Sequence, residues 1–458
     1  MTAERSTMPN TVDAYIEANR ERFLAELFTL LRQPSISTRN EGMNECAALL
    51  AGQMRDVGIE TEILQTPRHP VVYGELLKPG APTVLIYGHY DVQPPEPLEL
   101  WDSPPFEPAI RNGKIYGRGT SDNKAQLFTY LKTVETMRAT FGDLPISLKF
   151  LYEGEEEIGS PSLKPFCEQN RERLAANLTY YSDSHIHESG RPILILGLKG
   201  MVYVELTARG TREDQHSMRA TSVPSAAWRL VWALSTLKDK DNRISIRGFY
   251  DDVRPLTNLE RTAVANIPVD EAKLKDFFGI DAFLKGRESS DYYFNLVSEP
   301  TCNIAGLISG YTGSGSKTVL PAQATAKLDL RLVPDQKPDD IARKLRRHLD
   351  EQGFPDIEIS PSQHFLVPSR TPIDHPAVEI IADALREIYE TEPIVFPNIG
   401  GAGPNYIFTD VLKQPCFVVP HATHDQANHA PNENMEVEGF FRGIRTQCRV
   451  FEKMAGLR

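Results

Sequence analysis

Cysteine is scarce in this chain, and what there is of it is scattered. Cys46, Cys167, Cys302, Cys416 and Cys448 are odd in number, far apart and without Cys-x-x-Cys spacing, which argues against a disulfide framework or a cysteine-rich zinc site. They read as small buried hydrophobes. Long apolar runs are missing too: nothing approaches the roughly 20 residues that span a bilayer. Met1 to Phe23 is polar and lacks the apolar core of a secretory signal. The expectation is a cytoplasmic, unprocessed chain with no membrane partner. Nor is there an excess of positive charge, since 50 Lys plus Arg face 62 Asp plus Glu for a formal charge of -12. A broad nucleic-acid or anionic-lipid surface needs clustered cations to neutralise phosphates, so neither partner is expected. The composition is otherwise that of a globular protein, with 40% hydrophobic residues in 458, which excludes dominant disorder. At about 100 to 200 residues per domain, the length predicts two or three domains.

Apolar residues at helical spacing (Ile16, Phe23, Leu24, Leu27, Leu31) predict a helix over Asn10 to Gln33, stopped by Pro34. A second follows over Asn44 to Val57. Four strands are then predicted, each ending in residues able to ligate a metal. Thr83 to Tyr87 runs into Gly-His-Tyr-Asp, Ile146 to Tyr152 into an acidic cluster, Leu178 to Tyr181 into Asp183, and Cys416 to Val419 into a His-rich stretch. Between the first two lies a helix over Asn123 to Phe141. Alternating strands and helices indicate an α/β fold with a largely parallel sheet, in which ligands bind beyond the carboxyl ends of the strands. From about Gly200 the pattern changes: strands over Met201 to Ala208, Ala324 to Leu332 and Asp356 to Ser360, helices over Ser222 to Leu237 and Lys337 to Gln352. This reads as an α+β module inserted into a discontinuous catalytic domain. The first pattern returns with a helix over Pro376 to Tyr389.

The strand ends carry His89 and Asp91, Asp122, the run Glu155-Glu156-Glu157, Asp183 and His429. Singly each is weak; their placement at one sheet edge gives them weight. Two imidazoles and three carboxylates suit a pair of Zn²⁺ or Mn²⁺ ions without any thiolate. Two such ions can share a carboxylate and a water, lower that water's pKa toward 7 and polarise a carbonyl, so hydrolysis is the natural reaction. A further carboxylate must stay unligated to carry the proton, and the adjacent Glu156 and Glu157 can supply one base and one ligand.

Tyr-Gly-His-Tyr-Asp-Val-Gln-Pro, Gly-Arg-Gly-Thr-Ser-Asp-Asn-Lys, Glu-Gly-Glu-Glu-Glu-Ile-Gly-Ser, Ser-Asp-Ser and His-Ala-Pro-Asn-Glu occur in this order. Together they resemble the dinuclear metallopeptidase family of aminoacylases, succinyl-diaminopimelate desuccinylases, glutamate carboxypeptidases and carnosinase-type dipeptidases. The similarity spans nearly the whole chain and is closest to the carnosinase-like branch. It implies a zinc-peptidase-like catalytic domain over residues 1–199 and 371–458, interrupted at 200–370 by a ferredoxin-like lid that also makes a homodimer. It further implies two divalent ions per subunit, Zn or Mn, held by His89, Asp122, Glu157, Asp183 and His429, with Asp122 bridging. Asp91 would orient His89, and Glu156 would activate the metal-bridging water as general base.

By the same resemblance His216 polarises the substrate carbonyl, often from the partner subunit, and Arg331 binds the substrate carboxylate. Gly313 to Pro321 is similar to a Ser-Gly-x-Lys-Thr-x-x-Pro segment of the carnosinase-like branch. Gly400 to Gly403, with Gly401 and Ala402, resembles the glycine turn near the substrate C-terminus. Ala402, where relatives often carry Ser, and Met218, where His-Ser-Gly is commoner, depart from the pattern and leave the exact substrate open. His421, His424 and Asp425 read as a loop at the mouth of the site, and His185 and His187 stay ambiguous. The implied activity is hydrolysis of a dipeptide. An N-acyl or N-carbamoyl amino acid amidohydrolase or a carboxypeptidase is the alternative, and a catalytically silent peptide-binding scaffold the alternative of another class.

Overall fold

The structure, a computed structural model, describes residues 8–457 apart from 285–287 and 289. Its larger sheet has eight strands in the order Glu60–Leu64, Val71–Leu76, Ser147–Glu153, Thr83–His89, Leu178–Tyr181, Cys416–Val418, Ile193–Ile195 and Ile394–Phe396. The central four are mutually parallel, so their carboxyl ends lie along one edge, while antiparallel pairings flank them. Thr83–His89 explains why this sheet reads as apolar runs. Val84 and Ile86 enter one core with the helices Arg20–Arg32, Met43–Asp56, Lys124–Phe141, Pro376–Tyr389 and Val437–Met454. Leu85 and Tyr87 enter another, on the opposite face, with Leu163, Phe166 and Phe408. A strand covered on both faces has no polar side to alternate with.

The smaller sheet is antiparallel, in the order Thr301–Ser309, Gln323–Leu332, Gly200–Arg209 and Glu358–Leu366. With helices Ala226–Ser235 and Pro338–Glu351 it forms the βαββαβ pattern of ferredoxin-like folds. Val202, Val204, Leu328 and Leu330 pack on Leu230, Ala233, Ile341 and Leu345, whereas Met201, Asp329 and Arg331 alternate onto the open face.

The structure corrects several element boundaries. The segment expected as one helix is two, Met8–Ala18 and Arg20–Arg32, because the Asn19 side chain donates to the Tyr15 carbonyl at 2.8 Å and competes with the helical bond there. The lid helix begins at Ala226 rather than Ser222, after Pro224, with Ser225 capping it by accepting from the Trp228 amide at 3.3 Å. The last lid strand runs Glu358–Leu366, further than expected. Among the described residues no helix is long and apolar enough to cross a membrane, and all five cysteines are buried and free.

Candidate metal centre and active-site cleft

Four parallel strands deliver their ends to one edge, and the polar residues just beyond them converge there. His89 closes its strand and is fully buried. Its Nδ1 lies 3.1 Å from the Asp91 carbonyl oxygen, which leaves Nε2 facing Asp122 Oδ1 at 3.0 Å and Asp183 Oδ2 at 3.7 Å. His429 Nε2 lies 3.1 Å from both Asp122 Oδ2 and Glu157 Oε2. Two overlapping groups result, His89/Asp122/Asp183 and Asp122/Glu157/His429, each with its donor atoms within 4.8 Å of one another and Asp122 common to both. His89 Nε2 is buried without a properly aligned hydrogen bond, which a ligand nitrogen pointing at a cation would not need. The donor set, two imidazoles and three carboxylates with the His89 ring held through its other nitrogen, fits a pair of divalent ions.

The electrostatics agree. Burial and the neighbouring Asp122 push the Glu157 carboxyl up to about 7. Burial also raises Asp183 and Glu156, the latter well above the usual carboxylate range despite the opposing effect of His89. Hydrogen bonding to Asp122 and Glu157 pushes His429 up to about 10. Burial opposes protonation of His89, but Asp122, Asp183 and Asp91 outweigh it and raise that imidazole strongly. Such a cluster retains protons where a cation would release them, so its charge asks for metal.

The run of three glutamates is sorted by its surroundings. Glu155 is buried and consumed by the amides of His69 at 2.8 Å and Ser162 at 2.9 Å. Glu157 turns toward His429 and accepts from Gln93 Nε2 at 2.8 Å. Glu156 is left facing a cleft of about 390 Å³ lined also by Gln93, Ser160, Met201, Leu366, Ala402, Gly403 and Tyr406. A Cβ on Gly403 would sit 3.0 Å from Leu198 Cδ1 and 4.0 Å from Glu156 Oε1, so the glycine turn runs close to this carboxylate. The Gly401 carbonyl ties the same turn to the residue just before the lid strand by accepting from the Lys199 amide at 2.9 Å.

The sequence matches the peptidase family M20/M25/M40 over residues 85–453. This chain belongs to that family. It is therefore a metallopeptidase of the hydrolase class. Among its relatives, the β-Ala-His dipeptidase of Homo sapiens is 27% identical over 450 residues, covering 95% of this chain and 86% of the relative. The Cys-Gly metallodipeptidase of Schizosaccharomyces pombe is 27% identical over 470 residues, covering 96% and 97%. The crystal structure of an M20 family metallo-carboxypeptidase from Sulfolobus solfataricus superposes with a TM-score of 0.89 at 37% identity, covering 95% of this chain and 99% of that one.

Other residues singled out in this M20/M25/M40 peptidase lie elsewhere. His216 is exposed on the lid, in a two-residue strand paired with Val319–Leu320; its Nδ1 accepts from the Met218 amide at 3.2 Å and its Nε2 meets Thr318 Oγ1 at 3.3 Å. The cleft lining of this chain does not include it. Arg331 forks onto Asp329 of its own strand at 2.9 and 3.1 Å, on the open face of the lid sheet, directly opposite Met201 of the cleft. The Asp91 carboxylate accepts from the amides of Glu156 at 3.2 Å and Glu157 at 3.1 Å, and His89 Nδ1 lies between the Asp91 carbonyl oxygen at 3.1 Å and Asp91 Oδ1 at 3.4 Å. His421 is buried, with burial pushing its pKa down to about 3, and His187 bonds Ser189 and Tyr293. His185 Nδ1 lies 2.8 Å from the Ile186 carbonyl; Asp425 pairs with Lys114, and its neighbour His424 is exposed. Gln93, Met201 and Leu366 line the cleft without a sequence motif that marks them as doing so. Gln93 was legible as a polar side chain two positions after Asp91; the lid residues depend on which face of a strand points inward.

Proposed function

We propose that this chain is a dinuclear dipeptidase. The observation that carries the reading is Asp122, whose two oxygens face the imidazoles of separate donor groups, with Glu156 unengaged beside them. His89 and Asp183 would hold one divalent ion, Glu157 and His429 the other, and Asp122 would serve both; the donor types suit Zn²⁺ and Mn²⁺ alike. Bound there, the pair would polarise the scissile carbonyl and lower the pKa of an attacking water toward 7. Glu156 takes the proton from that water and returns it to the leaving nitrogen, a task suited to a carboxylate that lines the cleft and is not held by the neighbouring imidazoles. Asp91 fixes the turn that carries both the base and its ligand neighbour. Ala402 and the adjacent glycines give the substrate backbone close access to Glu156.

The reading extends to the assembly. Residues 1–199 and 371–458 form the catalytic domain and 200–370 the lid, a division supported by the membership of the two sheets. A homodimer through the lid is supported by exposed Ile304, Leu307 and Ile308 on its edge strand and by the stacked, exposed pair Trp228 and Trp232. His216 then acts on the substrate carbonyl of the partner's cleft, and Arg331 takes the substrate carboxylate. Free buried cysteines support a cytoplasmic setting, since oxidising compartments favour paired ones.

A second reading, carboxypeptidase, is favoured by the 37% identity to the Sulfolobus metallo-carboxypeptidase. Release of free amino acids from dipeptides, longer peptides, N-acetyl and N-carbamoyl amino acids, with Mn²⁺- or Zn²⁺-loaded and EDTA-stripped protein, decides between them. Metal-dependent cleavage confined to free-amine dipeptides is expected. C-terminal trimming of longer peptides assigns the carboxypeptidase, and cleavage of blocked amino acids alone an amidohydrolase. Peptide binding without cleavage assigns a silent scaffold.

A further inference from the structure

Glu433 ends the His-Ala-Pro-Asn-Glu segment, four residues after His429, and neither ligation nor proton transfer uses it. It is fully buried, and its two oxygens are saturated by a single loop. Oε2 accepts from Arg118 Nη1 at 2.8 Å and the Gly119 amide at 3.0 Å. Oε1 accepts from the Ser121 amide at 2.8 Å, Ser121 Oγ at 3.0 Å and the Asp122 amide at 3.0 Å. The Glu433 carbonyl also accepts from the Gly117 amide at 3.0 Å, and Asn434–Glu436 continues as a strand beside Lys114–Tyr116.

A buried carboxylate is tolerated only where donors surround it, and here they do so in one conformation of the 118–122 backbone. That backbone ends at Asp122, the residue both donor groups share, while Glu433 itself belongs to the segment carrying His429. We propose that Glu433 is the positioning residue that locks the Asp122 loop to the His429 loop and so sets how the shared carboxylate presents its two oxygens. Neutralising Arg118 alone would not require the three contacts to the Ser121 and Asp122 groups. The inference rests on the reading of Asp122 as the ligand common to both ions.

The test is a Co²⁺ titration of the metal-stripped full-length chain, followed by visible absorption and by steady-state kinetics at saturating Co²⁺. Wild type is expected to take two ions per chain. In Glu433→Gln an amide nitrogen would oppose backbone donors, and the more weakly held ion should bind about 10- to 100-fold more weakly, the range for loss of a group supporting a metal ligand. The absorption bands of the fully loaded variant should also shift, and kcat should fall by about tenfold or more with KM nearly unchanged, as for an interaction realised in the transition state. Wild-type affinity overturns the proposal, and so do weakened binding with wild-type bands and kcat at saturation, the behaviour of a merely loosened loop. Should Glu433→Gln not fold, Glu433→Asp, which keeps the charge and shortens the reach, is read by the same criteria. Asp122→Asn separates the two levels: if it leaves both ions bound as in wild type, the reading of Asp122 fails first, whatever Glu433 does.

Discussion

Glu156 and Glu157 are chemically identical neighbours whose roles diverge through what surrounds them. Glu157 is occupied by Gln93 and His429, whereas Glu156 faces the cleft. Glu156→Gln should therefore lower kcat by about 10² or more, the usual contribution of a general base, while metal content measured by elemental analysis stays at the wild-type level. Loss of metal together with activity would assign Glu156 to the ligands instead. The sequence presented three adjacent carboxylates, from which Glu156 and Glu157 read as one base and one ligand, and only resemblance said which was which. That Glu155 is structural follows from the amides of Ser162, seven residues on, and of His69, 86 residues back. His421 shows the same dependence on surroundings. Its folded pKa, pushed down by burial to about 3, lies below the unfolded value near 6.5, so the unfolded chain binds the extra proton between these limits. Its contribution to stability is complete above pH 6.5 and declines as pH falls toward 3. Melting temperatures from pH 7 to 4 should fall less steeply in His421→Gln than in wild type, and parallel curves would show that His421 does not titrate on unfolding.

Among elements, the strands were the most legible. Thr83–His89 and its parallel neighbours are short apolar runs bounded by polar clusters, so both their existence and the chemistry at their ends could be read directly. Helix limits were less legible, because they turn on single side-chain bonds such as Asn19 to Tyr15 or the Ser225 cap. Packing between helices was not legible at all. Val437–Met454 packs on Lys124–Phe141, and Gly443 leaves no room for a side chain: a Cβ there would stand 2.8 Å from His421 Cδ2 and 3.2 Å from Thr129 Cγ2. Gly443→Ala should destabilise the fold by about 1 to 3 kcal/mol through overpacking, measured by urea unfolding. An unchanged midpoint would mean that the helix can shift outward without loss.

For the whole molecule, the cleft of one chain is lined by Glu156, Glu157 and His429 but not by His216. If the partner's lid supplies it, His216→Ala lowers kcat by about 10² or more, as loss of an oxyanion donor does. Random re-pairing of His216→Ala with Glu156→Gln chains should then restore about one quarter of wild-type activity, since half the dimers are mixed and each has one intact site. No restoration would place His216 in its own chain's cleft or outside the reaction. Trp232→Glu combined with Ile308→Asp should move the mass in light scattering from dimer to monomer; a mass unchanged at the dimer value would put the interface elsewhere.

Residue types and their order sufficed for the alternation of the parallel sheet, the change of pattern near Gly200 and the imidazoles and carboxylates that cluster near its strand ends, because these are encoded in local periodicity and in the chemistry of short segments. Tertiary structure alone decided which glutamate stays free, that the Asp91 carboxylate holds the turn of Glu156 and Glu157, and that Glu433 clamps the Asp122 loop. These depend on hydrogen bonds from Gln93 to Glu157, from Glu156 and Glu157 to Asp91, and from Asp122 to Glu433, between groups tens to hundreds of residues apart, and no local pattern records which distant amide a buried carboxylate will find.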